Sequence, residues 1–288
     1  MAVSHSPQRS DSGRTFRFLF SLLWLLSSPI DADEPGPLKY RPLFNGENLE
    51  GFYSWLVDTQ LEDPRQVFTV TAGQIRISGD GLGYLATREA FTEYDLRLEF
   101  RWGDKNWSRG NRLGKAKDSG VFLHATGQDG NSVDGDGAFM AAIECNLFQG
   151  ATGDFLLIRG RHPDGSLIRP HVKTTVSPLK DADGWLTWDP EGEETTVETW
   201  GRINWQKKSP NWKDIENFRG AADREAEYGD WNTLECLVRD DSITIRLNGE
   251  TINRVTPIFP KQGKILLQCE GSEIFFRRVE IRELISSD

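Results

Sequence analysis

Two short runs of strict alternation, set either side of a Gly/Asp-rich turn, place the tightest limit on what this chain can fold into. They lie between Asp118 and Phe155 and read DSGVFLHATGQDG, then NSVDGDG, then AFMAAIECNLFQGATGDF. In the first, Ser119, Val121 and Leu123 alternate with Asp118, Gly120, Phe122 and His124. In the second, Ala141, Ile143, Cys145 and Leu147 alternate with Met140, Ala142, Glu144 and Asn146. A period of two belongs to a strand, whose successive side chains point to opposite faces. Each run therefore offers one face to a core and one face with polar groups. In an unbroken register Asp118, His124, Glu144 and Asn146 share the polar face. Two carboxylates and an imidazole together are the components of an acid/base site. A solvated sheet face fits the same pattern.

The same period recurs along the chain. Tyr94, Leu96, Leu98, Phe100 and Trp102 alternate with Asp95, Arg97, Glu99 and Arg101, the mark of an antiparallel strand with one wet face. Short apolar runs begin at Phe52 and Val67, and Asn248-Gly249 is a hairpin turn. The chain closes on Gly263 to Glu270, where Gln268 and Glu270 oppose Leu267 and Cys269, and on Glu273 to Leu284. Many short strands with turn residues between them predict an all-β, two-sheet antiparallel sandwich, with under about a tenth of residues in helix. The stretch 163–230 breaks the pattern. It has no sustained apolar period, yet it holds Trp185, Trp188, Trp200, Trp205 and Trp212. A short helix is expected over Trp212 to Phe218. The tryptophans serve either to stack on sugar faces or to plug the sandwich.

A formal net charge of −10 over 288 residues argues against nonspecific binding of nucleic acid, which needs a basic surface. The loop Gly103 to Lys117 is locally basic, with Lys105, Arg109, Arg112, Lys115 and Lys117; it is either a rim for an anionic group or a solvated loop. Arg9, Arg14 and Arg17 precede the apolar run Phe18 to Leu26. A charged start, a short apolar stretch and a small-residue exit predict a signal peptide over 1–32, with cleavage near Ala32. A short uncleaved anchor is the alternative. A linker over 33–39 follows, and no later run is long and apolar enough for a membrane span in the mature chain. Cys145, Cys236 and Cys269 fall inside strand-like runs, as buried thiols do, and an odd number leaves at least one unpaired. Asp134-Gly135-Asp136-Gly137 carries oxygen ligands of the kind calcium takes, and equally makes a plain polar turn. There is no dinucleotide or phosphate-binding glycine motif, no GxSxG elbow and no HExxH.

Several blocks together resemble one family. They are Leu43-Phe44-Asn45-Gly46 through Gly51, Arg101-Trp102-Gly103, Asp118-Ser119-Gly120 through His124, Ile143-Glu144, and Gly150 to Phe155. They continue as Gly201-Arg202-Ile203-Asn204-Trp205, Trp231-Asn232, Leu247-Asn248-Gly249, Gly263-Lys264-Ile265 through Gln268, Glu270-Gly271, and Phe276-Arg277. In order and spacing the chain is similar to the 3-keto-disaccharide hydrolase family. Two positions depart from it: Asn146, where many relatives have Gln, and Arg278, where many have Asn. The resemblance implies a concanavalin A-like jelly roll over 40–285, with the Trp-rich stretch as an insertion. It also implies an exported bacterial protein, periplasmic or secreted, acting on oxidised sugars.

The implied chemistry assigns roles. A ketone at C3 acidifies the proton on C2, and the glycosidic oxygen on C1 leaves by elimination. Water then adds to the enone. This needs a base near C2, a donor for the leaving oxygen, and a positive group for the enolate. Glu144 is taken as base and His124 as donor, with Arg101 or a divalent cation at the enolate. Asp118, Asn146, Gln268, Glu270 and Trp205 are taken as substrate-binding. Parity then predicts that the polar sets of these strands, Glu99 and Arg101 included, meet on one outer face. The alternatives are a non-catalytic, lectin-like carbohydrate-binding protein and a domain that assembles an exported complex.

Overall fold

Period-two alternation becomes paired strands throughout the chain. The structure is a computed structural model that describes residues 39–198 and 201–284. The expected signal peptide, nearly all of the linker, and Trp200 lie outside the described residues. In chain order the strands are β1 (Arg41–Pro42), β2 (Phe52–Leu56), β3 (Phe68–Thr71), β4 (Gln74–Ile77), β5 (Leu82–Thr87), β6 (Tyr94–Asn106) and β7 (Asp118–Thr126). Next come β8 (Ala141–Phe148), β9 (Asp154–Ile158), β10 (Gly160–Arg161), β11 (Leu167–Ile168), β12 (His171–Val176), β13 (Leu186–Thr187) and β14 (Glu193–Glu198). The last are β15 (Arg202–Asn204), β16 (Asn232–Arg239), β17 (Ser242–Leu247), β18 (Glu250–Val255), β19 (Ile258–Phe259), β20 (Lys264–Glu270) and β21 (Ser272–Glu283).

Two large sheets form the jelly roll. One runs β18-β17-β16-β6-β21-β4-β3, with β1 on β21. The other runs β13-β15-β9-β8-β7-β20-β5-β2. The core lies between them, since both sheets contribute to one apolar cluster. Leu96, Leu98, Phe100, Ile274 and Phe276 come from the first sheet, and Val121, Leu123, Ile143, Cys145 and Leu267 from the second. Each fully buried side chain of this size contributes about 1.5 to 3 kcal/mol. The three cysteines are buried and free. The outward side of β6 is charged as its alternation predicts. Asp95 meets Arg239 and Arg282, Arg97 meets Glu235, and Glu99 meets Arg277 and Arg278.

The second sheet is also covered on its outer face. Tyr84, Phe122, Phe139, Met140, Ile158 and Leu266 form a satellite cluster there. The segment between β7 and β8 folds over the sheet to supply Phe139 and Met140. Asp134 holds it down by gripping Arg159, through two oxygens and at 2.6 Å at its shortest. That ion pair occupies the Asp134 carboxylate of the acidic turn.

No helix occurs among the described residues, so none is long and apolar enough to cross a membrane. The helix expected over Trp212 to Phe218 is absent. Its polar groups bond outward. The Asn217 amide donates to Gln149 Oε1 at 3.0 Å, Trp212 Nε1 donates to the Gln149 carbonyl at 3.0 Å, and Arg112 forks onto Asp214 at 3.1 and 3.2 Å. Asn217 also has φ 60°, outside the helical region. The segment is thereby tied to the site as an irregular loop.

Candidate functional site

Cross-strand register builds the site on the outer face of the second sheet. Glu144 of β8 stands opposite Leu156 of β9 and Phe122 of β7. Asn146 stands opposite Asp154 and Gly120, and Asp118 opposite Phe148. On the far side of β7, Gln268 of β20 pairs with Tyr84, and Glu270 with Leu82. Partners in register point to the same face, and here that face is away from the main core. Gly120 sits in the middle without a side chain. A β-carbon there would stand 2.4 Å from Glu144 Oε1 and 3.0 Å from Gln268 Oε1. Both oxygens therefore lean over Gly120 from opposite sides.

Above this floor is a cavity of about 310 Å³, near the small end for small-molecule sites. Its polar side holds Asp118, Glu144, Asn146, Arg202, Gln268 and Glu270. Phe139, Leu156, Ile158 and Trp185 line the rest, with Asp134, Gly135 and Gly201 at the margin. Asn146 Nδ2 donates to Glu144 Oε1 at 2.9 Å and to Asp118 Oδ1 at 3.4 Å. Gln268 Nε2 donates to Glu270 Oε2 at 2.7 Å. The amides thus turn their N–H groups to carboxyls. Asn146 Oδ1 and Gln268 Oε1 are buried without any protein partner. An unpaired buried acceptor is costly, and both residues line the cavity.

The carboxyls are electrostatically unlike. Burial pushes Glu144 up to about 8, the Asn146 hydrogen bond opposes this, and the nearby Asp118 charge adds to it. Burial also raises Asp118, but only to about 6, because Arg112 and Arg202 favour its charged form. Glu270 is held well above the usual carboxylate range by burial, then by Asp118 and Glu144. Near neutral pH Glu144 keeps its proton and Asp118 is mostly ionised. Arg112 lies 3.5 Å from Asp118, and Arg202 bonds Asp154 at 3.1 Å. The two guanidiniums also lie over Phe148, at 5.5 and 5.7 Å from its ring centre.

Asp118, Glu144, Asn146, Gln268 and Glu270 therefore line one cavity, whereas His124, Arg101 and Trp205 do not. His124 has φ 54°, and the β7–β8 register shifts between Leu123 and Thr126. This bulge breaks the parity count. The ring turns edge-on to Tyr94, at 5.8 Å, and its nitrogens sit 2.9 and 3.0 Å from the Pro260 and Thr92 carbonyls. Arg101 lies on β6, in the other sheet, with its guanidinium over Phe275 at 4.2 Å and Trp231 at 5.2 Å. Glu99 shares that sheet, so the four polar sets do not meet on one face. Trp205 is 2% exposed and packs in the main core. Among the described residues, Trp185 is the tryptophan that lines the cavity.

Arg112, Arg202, Phe139, Leu156 and Ile158 complete the surroundings without having been singled out by sequence. The only signals were the basic loop around Arg112, the motif block around Arg202 and the Trp-rich stretch around Trp185. Among the described residues, no three His, Cys, Asp or Glu side chains converge to hold a metal ion.

Solved structures with similar arrangements are distant. Two candidate glycosyl hydrolases from Parabacteroides distasonis are 16% and 17% identical, with TM-scores of 0.46 and 0.44. Each match covers 85% of this chain, and 94% and 100% of theirs respectively. A beta-glucanase from Bacillus licheniformis is 12% identical over 88% of this chain and 100% of its own, with a TM-score of 0.41. No curated protein matches the chain. One family model does match, over nearly all of the described residues: the chain is a carbohydrate-active jelly-roll protein that belongs to the 3-keto-alpha-glucoside-1,2-lyase-like domain family, matched across residues 39–282.

Proposed function

We propose that the protein is an exported enzyme that cleaves 3-keto-glycosides by elimination followed by hydration, with Asp118 and Glu144 as its acid/base pair. One observation carries this reading. Two carboxyls in one small cavity have affinities for protons pushed apart, to about 6 and about 8. Groups separated in this way divide into base and acid at neutral pH. A membrane-exported setting follows from the charged and apolar start of the chain, Arg9 to Ala32.

The roles differ from those read off the sequence, where Glu144 was base and His124 donor. Asp118, ionised, takes the proton from C2. The electron pair of that C–H bond becomes the C1–C2 double bond, and the bond from C1 to the glycosidic oxygen breaks. Glu144, protonated, gives its proton to the departing oxygen. In the second half Glu144 takes a proton from water as the oxygen of water bonds to C1, and Asp118 returns its proton to C2. Both residues end as they began, and the net change is hydrolysis. Arg202 supplies the positive charge that Arg101, on the other sheet, does not bring. Asn146 Oδ1 and Gln268 Oε1 accept hydrogen bonds from sugar hydroxyls.

The unpartnered amide oxygens also suit a protein that only binds sugars, so turnover is the deciding test. The purified protein is incubated with 3-keto-glucosides and with the unoxidised glucosides. Release of the C1 substituent from the oxidised set alone is the expected result. Binding of either set without release makes the protein a lectin-like module, and the elimination mechanism is then wrong.

A further inference from the structure

We propose that the site selects glycosides whose departing group is an apolar ring rather than a second sugar. The proposal rests on reading the cavity as a 3-keto-glycoside site, and it starts from the cavity's two unlike walls. One wall carries carboxyls and amides, with the Arg202 guanidinium turned to Asp154 although Arg202 itself stands next to Leu156 in register. The other is Phe139, Leu156, Ile158 and Trp185. The two meet at Glu144, because Leu156 stands directly opposite it in the β8–β9 register. Glu144 protonates the leaving oxygen, so whatever is bonded to that oxygen lies beside Leu156. The remaining apolar side chains continue the same wall.

A sugar seated there would bring hydroxyl groups to a surface with few partners for them. The one carboxylate on that side, Asp134, is already committed. It accepts from the Arg159 amide at 2.8 Å and grips the Arg159 guanidinium through both oxygens. Buried hydroxyls left unpaired are disfavoured, whereas an aromatic or aliphatic ring loses nothing by burial.

The wall is built before any ligand arrives. The Phe139 ring packs on Phe122 at 5.4 Å and closes over Gly135, where a β-carbon would stand 2.9 Å from it. The Trp185 amide donates to Asp181 Oδ1 at 2.8 Å, and Asp181 in turn accepts from Asn204 at 2.8 Å. Phe139 and Ile158 are buried in the satellite cluster, but Leu156 and Trp185 are only half-buried and face the cavity. Fixed apolar surface of this kind favours a rigid ring, which loses little freedom on binding.

The test compares phenyl, methyl and glucosyl 3-keto-α-glucosides with the wild-type chain, Trp185→Ala and Leu156→Thr, each checked by thermal melting. Wild type should show the highest kcat/KM for the phenyl compound and the lowest for the glucosyl one. Trp185→Ala should lower the phenyl-to-methyl ratio by about three- to tenfold, the scale of one aromatic contact, and Leu156→Thr should lower it in the same direction. Equal turnover of phenyl and glucosyl compounds, or equal loss on all three in Trp185→Ala, overturns the proposal. If wild type cleaves none of them, the elimination mechanism fails, and calorimetry with the same compounds decides selectivity. Tighter binding of the phenyl compound, weakened in Trp185→Ala, upholds it. Equal binding, or none, overturns it.

Discussion

Glu144 Oε1 occupies the space that a side chain on Gly120 would fill, at 2.4 Å from the missing β-carbon. Gly120 is thus a specification of where a carboxyl goes, not of a turn. In Gly120→Ala the carboxyl is the far end of a flexible side chain, so it can swing away and the strand can survive. The displaced Glu144 no longer meets the leaving oxygen. A misplacement of about 1 Å can cost about 100-fold in rate. Gly120→Ala should therefore fold and melt near the wild-type temperature while kcat falls by about that factor. A variant that melts as the wild type and turns over 3-keto-glycosides equally well contradicts the placement.

The separation of the two carboxyls sets a pH profile. The kcat/KM of the free enzyme should rise as Asp118 loses its proton near 6 and fall as Glu144 loses its proton near 8. The bell is narrow because the two values are close. Asp118→Asn and Glu144→Gln keep the shapes but cannot move protons, and each should cost about 10² to 10⁴ in kcat. A profile flat between pH 5 and 9, or a Glu144→Gln enzyme as active as wild type, removes Glu144 from the chemistry.

His124 should behave as a residue of the fold. Burial lowers its affinity for a proton despite the two carbonyls that favour the charged ring. Its backbone is left-handed, a conformation that Asn also adopts readily. His124→Asn should lose about 1 to 3 kcal/mol of stability through lost packing and leave kcat/KM unchanged within about twofold once folded protein is counted. Chemical denaturation read beside the kinetics checks both halves. A large kinetic loss at unchanged stability restores His124 as a participant.

Local alternation decides which side of a strand a residue takes, and β8 and β20 obey it. Glu144 and Asn146 oppose Ile143 and Cys145, and Gln268 and Glu270 oppose Leu267 and Cys269, as a reading of pattern predicts. Alternation does not say which sheet a strand joins. Arg101 lies on the outward side of β6 as its parity requires, but β6 pairs with β16 and β21 and not with β7. That choice depends on contacts more than 100 residues apart. A single bulge was enough to turn His124 toward the interior. Pattern alone does not place Trp185 and Arg202 at the cavity, for another reason. Trp185 precedes a strand of two residues and Arg202 opens one of three, both too short to show a period, and polar anchors such as Asp154 and Asp181 hold them in place.

The proton on Glu144 also makes the fold sensitive to pH. In the unfolded chain this carboxyl has its ordinary value of 4.5, and in the folded protein it is raised to about 8. The folded state holds the proton more tightly. Its contribution to stability is fully present below the ordinary value and is lost as pH rises through about 8. The physical cause is a charge that burial does not let water solvate, next to an Asp118 that is already ionised. Gln at this position keeps the shape, accepts the Asn146 hydrogen bond through its carbonyl oxygen, and has no charge to bury. The melting temperature of Glu144→Gln should therefore approach that of wild type at low pH and exceed it by a growing margin from about pH 5 to about pH 8. Arg202 favours the charged form of Glu144, which reduces the margin without reversing its sign. Thermal melts of the pair across that range measure the margin directly. A margin that stays constant with pH means that Glu144 ionises as an ordinary carboxylate, and the acid role assigned to it falls with that result.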